Sequence, residues 1–280
     1  MKILITGASG FIGSYLVKKL KKKKLLLTSK KKKNHISIDL LKKNFTKLDS
    51  HKIDTCIHLA WSGIPDYSKK NSQKNYNASI KLFNYLYKRG CKKIISLGSC
   101  WEYKEDYGKK SENSSDKSQN IFGYYKKKLA EDGLNLSKKF NSEFVWLRIF
   151  YVYGDKKKGL LKILNENYQK KTKINLLYPH KFNDFIFIDD VVDFIIRSIK
   201  LKKNGIFNIG TGKKASTLDF CNKFCEIKKI NPNEIIKYDI KKKKANHGIW
   251  ADMKKSKNLL NKRKYHSLKQ GISKSLNYIN

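Results

Sequence analysis

At 280 residues the chain is long enough to bury a full hydrophobic core, as one large domain or as one domain with a smaller lobe. It holds no run of about 18 apolar residues, so a transmembrane helix and a membrane partner are not expected, and its first apolar residues already read as a strand, so neither is a signal peptide. The formal charge of +40 comes from 63 basic residues of which only Arg89, Arg148, Arg197 and Arg263 are arginine; lysines scattered over every expected helix and loop lack arginine's planar fork, so they argue against a specific nucleic-acid surface while still drawing in anionic ligands.

Lys2 to Thr6 is a short branched apolar run and reads as a strand. Gly7, Gly10 and Gly13 follow at three-residue spacing, and an amphipathic helix is expected over residues 14–22. In such a strand, turn and helix the first glycine permits the tight turn and the second lets the backbone approach a pyrophosphate. The third lets the helix pack close to the strand, and the diphosphate sits on the helix's positive end. Further strands are expected at residues 25–28, 55–59, 93–97, 143–149, 185–188 and 206–209, with helices at 75–89, 124–140 and 190–200. This alternation implies an α/β fold built on a doubly wound parallel Rossmann sheet, with ligands at the carboxyl ends of the strands. Residues 104–119 are polar and read as a surface loop. After Gly212 the strand–helix rhythm is lost, so residues 1–154 with 182–212 are assigned to the dinucleotide-binding domain, and 155–181 with 213–280 to a smaller C-terminal substrate-binding lobe. Cys56, Cys91, Cys100, Cys221 and Cys225 are odd in number and hold no CxxC pair. That suits a reducing cytoplasm, with no disulfide framework and no metal site expected.

At the end of the second expected strand, an NAD site usually carries a carboxylate for the adenosine ribose. Here Thr28, Ser29 and Lys30 stand there with no carboxylate, which suits the 2′-phosphate of NADP better than NAD. Tyr124 and Lys128, four residues apart on an expected helix, share a face. A lysine ammonium beside a phenol favours the phenolate and makes Tyr124 a proton donor or acceptor for a carbonyl/alcohol pair. Ser99, just past a strand end, can hydrogen-bond the same substrate oxygen.

The glycine turn, Ser99, Tyr124 and Lys128 occur in the order and approximate spacing of the extended short-chain dehydrogenase/reductase family, the NAD-dependent nucleotide-sugar epimerases, dehydratases and reductases. TGASGFIG resembles that family's TGxxGFIG, His58-Leu59-Ala60 its HLA strand end, and Leu147 to Gly154 its LRxFNVYG segment. Asp184 to Val191 is similar to RDFIxVxDV, and Asn208 to Gly212 to NIGSG. The resemblance implies that Ser99, Tyr124 and Lys128 form the catalytic triad, with Lys128 also holding the nicotinamide ribose. Gly7, Gly10 and Gly13 then hold the pyrophosphate, Asp39 the adenine edge, and Ala60 lines the cofactor cleft. Ser9, Phe11, Ile12, Leu40, Leu59 and Trp61, with Thr28, Ser29 and Lys30, complete the implied cofactor contacts. Ser99, Cys100, Trp101, Tyr151, His180 and Lys181 are the implied substrate contacts, the last two because Asn183 stands where relatives have an arginine.

A dehydratase needs an acid/base pair directly after the hydroxyl residue. Cys100 and Trp101 occupy those places, and Glu102, one position further, is expected to face solvent or cap the loop. The segments around Leu59, Ser99 and Arg148 look like those of 4-keto-6-deoxysugar nucleotide reductases, which implies reduction of a C4 ketone. The alternatives are an epimerase with tightly held NAD, and a non-catalytic cofactor-sensing or RNA-associated member. Relatives of this kind imply a nucleotide-sugar substrate and a homodimer formed through two helices of each subunit, one of them bearing Tyr124.

Overall fold

The computed structural model describes residues 1–20, 24–29, 35–104, 107–114, 117–155, 159–239, 247–260 and 265–277. The chain divides into two compact units. The larger comprises residues 1–104, 114–149 and 192–207, and the smaller residues 105–113, 150–191 and 208–280.

In the larger unit, β1 (Lys2–Thr6), β2 (Lys24–Ser29), β3 (Ile36–Ser37), β4 (Thr55–His58) and β5 (Lys93–Ser99) join the strands Glu143–Ile149 and Gly205–Ile209 in one sheet. Its order is β3, β2, β1, β4, β5, Glu143–Ile149, Gly205–Ile209, and the pairings from β3 through to Glu143–Ile149 are parallel. The order reverses beside β1, which creates a crevice beyond the carboxyl ends of β1 and β4. Ile3, Leu4 and Ile5 are fully buried, as expected of a parallel strand covered on both faces. The helices α1 (Phe11–Lys19), α2 (Lys69–Lys88) and α3 (Ile121–Lys139) follow β1, β4 and β5. Leu82, Phe83 and Leu86 of α2 and Leu129 and Ala130 of α3 build one apolar core with Leu4, Cys56, Ile94, Phe144 and Trp146 of the sheet.

All four expected helices begin earlier than their apolar periodicity indicates, and for α2 and α3 the cap shows why. Ser68 accepts from the Asn71 amide and starts α2 at Lys69; Asn120 accepts from the Gly123 amide and starts α3 at Ile121. The second shift places Phe122 and Gly123 in the first turn of α3.

The expected domain limits differ from those observed. Residues 150–154, 182–191 and 208–212 pack with the smaller unit. The strand Phe185–Phe187 pairs with Tyr151–Tyr153 and not with the large sheet, and the Asp184 carboxylate accepts from the amides of Thr211, Gly212 and Ala251. The expected surface loop at 104–119 contains a short strand, Gly108–Lys110, paired with Ile249–Ala251 of the same unit. The smaller unit also holds the pairs Phe182–Asn183 with Ala215–Ser216 and Ile174–Asn175 with Ile236–Lys237, and the helices Gly159–Lys170, Thr217–Lys228 and Leu268–Asn277. All five cysteines are buried and unbridged, and no helix among the described residues is long and apolar enough to cross a membrane.

Candidate active site

A cleft of about 430 Å³ opens at the crevice beside β1. Gly7, Ser9, Gly10, Thr28, Asp39, Leu40, Leu59, Ala60 and Trp61 all line it, together with Asn75 and Ser79 from α2. Gly7 has φ +69°, and a Cβ there would lie 2.8 Å from the Ala60 nitrogen. At Gly13 a Cβ would fall 2.2 Å from the Gly7 carbonyl oxygen, so α1 approaches β1 more closely than any side chain permits. Gly10 is the N-cap of α1 and offers its first turn no side chain. Asp39 accepts from the Leu41 amide at the cleft edge, and the Trp61 Nε1 is buried without a partner among the described residues. A dinucleotide fits this cradle. Phe11, Ile12 and Gly13 open α1 beside it. Lys30 and the side chain of Ser29 lie outside the described residues.

Behind the cleft, His58 ties β1 to α2: its Nδ1 lies 2.8 Å from Thr6 Oγ1 and its Nε2 2.9 Å from Ser79 Oγ. Burial, and secondarily the charge of Lys126, lowers its pKa to about 3, so the imidazole is neutral.

Ser99 ends β5. Its hydroxyl accepts from the Trp101 amide (3.2 Å) and its own amide donates to Glu102 Oε1 (2.7 Å), a reciprocal capping box. Glu102 therefore caps the loop, but it does not face solvent. It is 2% exposed and also accepts from Trp146 Nε1 (3.1 Å) and Arg148 Nε (2.9 Å). Burial acts to lower the Arg148 pKa, yet the charges and hydrogen bonds of Glu102 and Tyr103 raise it overall, so the guanidinium stays charged.

The expected pair on α3 needs correction. Tyr124 is 50% exposed with its ring edge-on to Tyr125, while Lys128 pairs with Asp132 (3.6 Å) and lies 5.6 Å from the Tyr76 ring of α2. The two do share a face, but it is the face beside α2, and the structure does not bring them to Ser99. The opposite side of the same turn carries Phe122 and Lys126. Gly123 sets this phase, because a Cβ there would lie 2.0 Å from the Trp101 carbonyl oxygen. Lys126 is 8% exposed; its ammonium donates to the Leu97 carbonyl of β5 (2.9 Å) and sits 3.9 Å over the ring of Trp61, a wall of the cleft. Burial pushes its pKa down to about 7, with the charge of Glu102 acting in the other direction. Phe122 packs edge-on against Trp61, Tyr67 and Trp101. Cys100 is buried, and the partly exposed Trp101 also meets Tyr67.

The model of the NAD dependent epimerase/dehydratase family matches residues 3–210, from β1 through the last strand of the sheet. The chain belongs to that family. It is an NAD(P)-dependent enzyme of the extended short-chain dehydrogenase/reductase type. Over 99% of its length it is 28% identical to the dTDP-4-dehydro-6-deoxyglucose reductase of Escherichia coli, 97% of which is covered. Over 77% of its length it is 26% identical to the dTDP-6-deoxy-L-talose 4-dehydrogenase (NAD(+)) of Aggregatibacter actinomycetemcomitans, 86% of which is covered. In fold it is similar to the UDP-glucose 4-epimerase of Thermotoga maritima solved with UDP-glucose, with TM-score 0.87 and 20% identity over 99% of this chain and 98% of that one. The UDP-glucuronic acid 4-epimerase of Bacillus cereus, solved with NAD, matches with TM-score 0.79 and 24% identity over 97% and 96%.

The remaining expected contacts of this family member lie in the smaller unit. The Tyr151 amide donates to the Asp184 carbonyl and its ring packs on Phe185. His180 meets Tyr238 edge-on at 5.9 Å, and the Lys181 carbonyl accepts from the Thr217 amide. Asn183, in the place of the arginine, is buried with its Nδ2 on the Lys181 carbonyl (3.3 Å) and its Oδ1 unpartnered among the described residues. No group of acidic, histidine or cysteine side chains among the described residues is arranged to hold a metal. Phe122 and Lys126 are the side chains at the cleft wall that the sequence reading passed over, and it gave His58 and Glu102 no binding or catalytic role.

Proposed function

We propose that this enzyme reduces the C4 ketone of a 4-keto-6-deoxysugar nucleotide, with NADP preferred over NAD. The observation that carries the reading is the engagement of Glu102. The acidic side chain nearest Ser99 in sequence is occupied by the Ser99 amide, Trp146 and Arg148, and Cys100 and Trp101 precede it. Among the described residues of the segment from Ser99 to Lys104, no carboxylate is left for dehydration chemistry. The similarity to the Escherichia coli reductase, which extends along nearly all of both chains, supports the same reading.

When bound, the dinucleotide supplies the reducing equivalent that the sugar carbon accepts. The backbone of Gly7, Gly10 and Gly13 would receive the pyrophosphate at the positive end of α1. Asp39 and Leu40 would meet the adenine edge, and Leu59, Ala60 and Trp61 the middle of the molecule. Lys126 would hold the nicotinamide ribose, the role the resemblance gives to Lys128. Ser99 would hydrogen-bond the C4 oxygen. The NADP preference rests on Thr28 in the cleft and on the absence of a carboxylate in Thr28-Ser29-Lys30. A homodimer through α2 and α3 belongs to the same proposal and accounts for the exposed Tyr124 beside Lys128; light scattering tests it.

The decisive experiment incubates the protein with a dTDP-4-keto-6-deoxysugar and reduced cofactor. Stoichiometric cofactor oxidation is expected. Interconversion of two UDP-sugars without net cofactor change would establish an epimerase instead, and tighter binding of NAD than of NADP would overturn the cofactor preference.

A further inference from the structure

A carbonyl reduction needs a proton for the new hydroxyl, and the helix face bearing Lys126 offers no phenol. One turn before the lysine stands Phe122, a ring with nothing to donate. The other tyrosines around α3 are committed elsewhere: Tyr125 is buried against Tyr76, Tyr76 donates to Asp132, and Tyr103 is buried beneath the Arg148 guanidinium. Tyr67, on the segment between β4 and α2, is different. Its ring centroid lies 5.1 Å from that of Phe122 and 4.9 Å from that of Trp101, whose amide binds the Ser99 hydroxyl. Trp61, in the cleft wall, lies 5.4 Å from Phe122 on another side. One aromatic cluster thus runs from the dinucleotide cleft to Ser99, and Tyr67 is its phenol.

The geometry points to Tyr67 as the proton donor of this enzyme, standing in for the phenol that Phe122 lacks. The inference rests on the reductase reading of the same site. Tyr67 is half-buried, and its hydroxyl has no protein partner among the described residues, so it is open to a substrate oxygen. Burial raises its pKa, which keeps it protonated at neutral pH and suits a donor more than a base. Its backbone is held from both sides. The Asp66 amide donates to the Gly63 carbonyl (2.7 Å), the Asp66 carboxylate accepts from the Ser68 amide (2.9 Å), and Asn71 donates to the Ser62 and Asp66 carbonyls. Asn75 in turn grips both the amide and the carbonyl of Ser62. These contacts hold the phenol in advance of substrate binding.

In the step, the Tyr67 O–H bond breaks and an O–H bond forms on the sugar's C4 oxygen as the C=O π-bond opens. C4 gains its hydrogen and electron pair from the reduced nicotinamide dinucleotide, the reductant of the proposed function. Water then returns a proton to the phenolate.

The test compares the full-length protein with Tyr67→Phe, and with Tyr67→Phe combined with Phe122→Tyr, on a dTDP-4-keto-6-deoxysugar. Tyr67→Phe is expected to keep its melting temperature and its dinucleotide Kd and to lose about 100-fold or more in kcat. Calorimetry should show its affinity for the keto sugar nucleotide falling about 5-fold, the worth of one hydrogen bond, with affinity for dTDP alone unchanged. The double variant should recover turnover, with its alkaline limb at a new pH. An active wild type with an equally active Tyr67→Phe overturns this inference alone. Parallel losses of dinucleotide affinity or melting temperature also overturn it, because they mark a structural role. A wild type that turns over no such sugar sinks the reductase reading and this inference with it.

Discussion

Replacing Lys126 with methionine should make the ligand-free protein more stable and less able to bind its cofactor. The lysine's pKa is brought from 10.5 to about 7, chiefly by burial. That gap of about 3.5 units corresponds to about 5 kcal/mol at 1.36 kcal/mol per unit. Against it stand one hydrogen bond to the Leu97 carbonyl and one cation–π contact with Trp61, together worth about 2–3 kcal/mol. Methionine fills a similar volume without the charge, so the net gain below pH 7 is about 2 kcal/mol, or about 4–8 °C in Tm. The advantage depends on pH with a defined sign. Between pH 7 and 10.5 the unfolded wild-type chain binds a proton at this lysine that the folded chain releases, so wild-type stability rises with pH across that window and is flat below it. Thermal melts at pH 6 and pH 10 should therefore show the variant ahead at pH 6 and its lead gone at pH 10. Dinucleotide titration followed by tryptophan fluorescence should show at least a tenfold weaker Kd. A lead that does not change with pH, or an unaltered Kd, would refute the placement of a buried ammonium against Trp61 of the cleft wall.

Three further outcomes follow from the same geometry. Gly13→Ala puts a Cβ 2.2 Å from the Gly7 carbonyl oxygen and 2.9 Å from Ala8 Cα; calorimetry should show dinucleotide affinity lost by tenfold or more, with about 1–3 kcal/mol of stability lost in denaturant melts. Glu102→Gln leaves the buried Arg148 charge uncompensated and should cost about 3–5 kcal/mol, measured by urea unfolding at neutral pH. His58 should show no imidazole titration by NMR from pH 7 to pH 4, because its pKa is about 3 in the fold. The unfolded chain takes up that proton below about pH 6.5, so this residue withdraws stability progressively as pH falls from there toward 3.

What could be read in advance, and what could not, divides along a physical line. The Gly7–Gly13 turn is a matter of backbone sterics within one short stretch, and Gly7, Ser9 and Gly10 line the cleft beside β1. The apolar runs of β1, β4 and β5 are equally local. The facing of α3 is not. A four-residue Tyr–Lys spacing establishes that Tyr124 and Lys128 point the same way, but it carries no information on which way that is. The rotation of the helix is decided by what packs beneath it. Here a glycine at 123 lets the first turn sit on the Trp101 carbonyl, and that contact turns Phe122 and Lys126 toward the strand ends and Tyr124 and Lys128 toward Tyr76. The glycine was visible in Phe122-Gly123-Tyr124-Tyr125-Lys126, a second i,i+4 pair ending in lysine that lacks only the hydroxyl. Glu102 shows the same division. Its capping role was legible in Ser99-x-x-Glu102, whereas its burial depends on Trp146 and Arg148, more than forty residues away on the neighbouring strand. A motif made of spacing alone therefore gives the chemistry a helix can offer, and only a close contact such as that of Gly123 on Trp101 tells which face of the helix offers it.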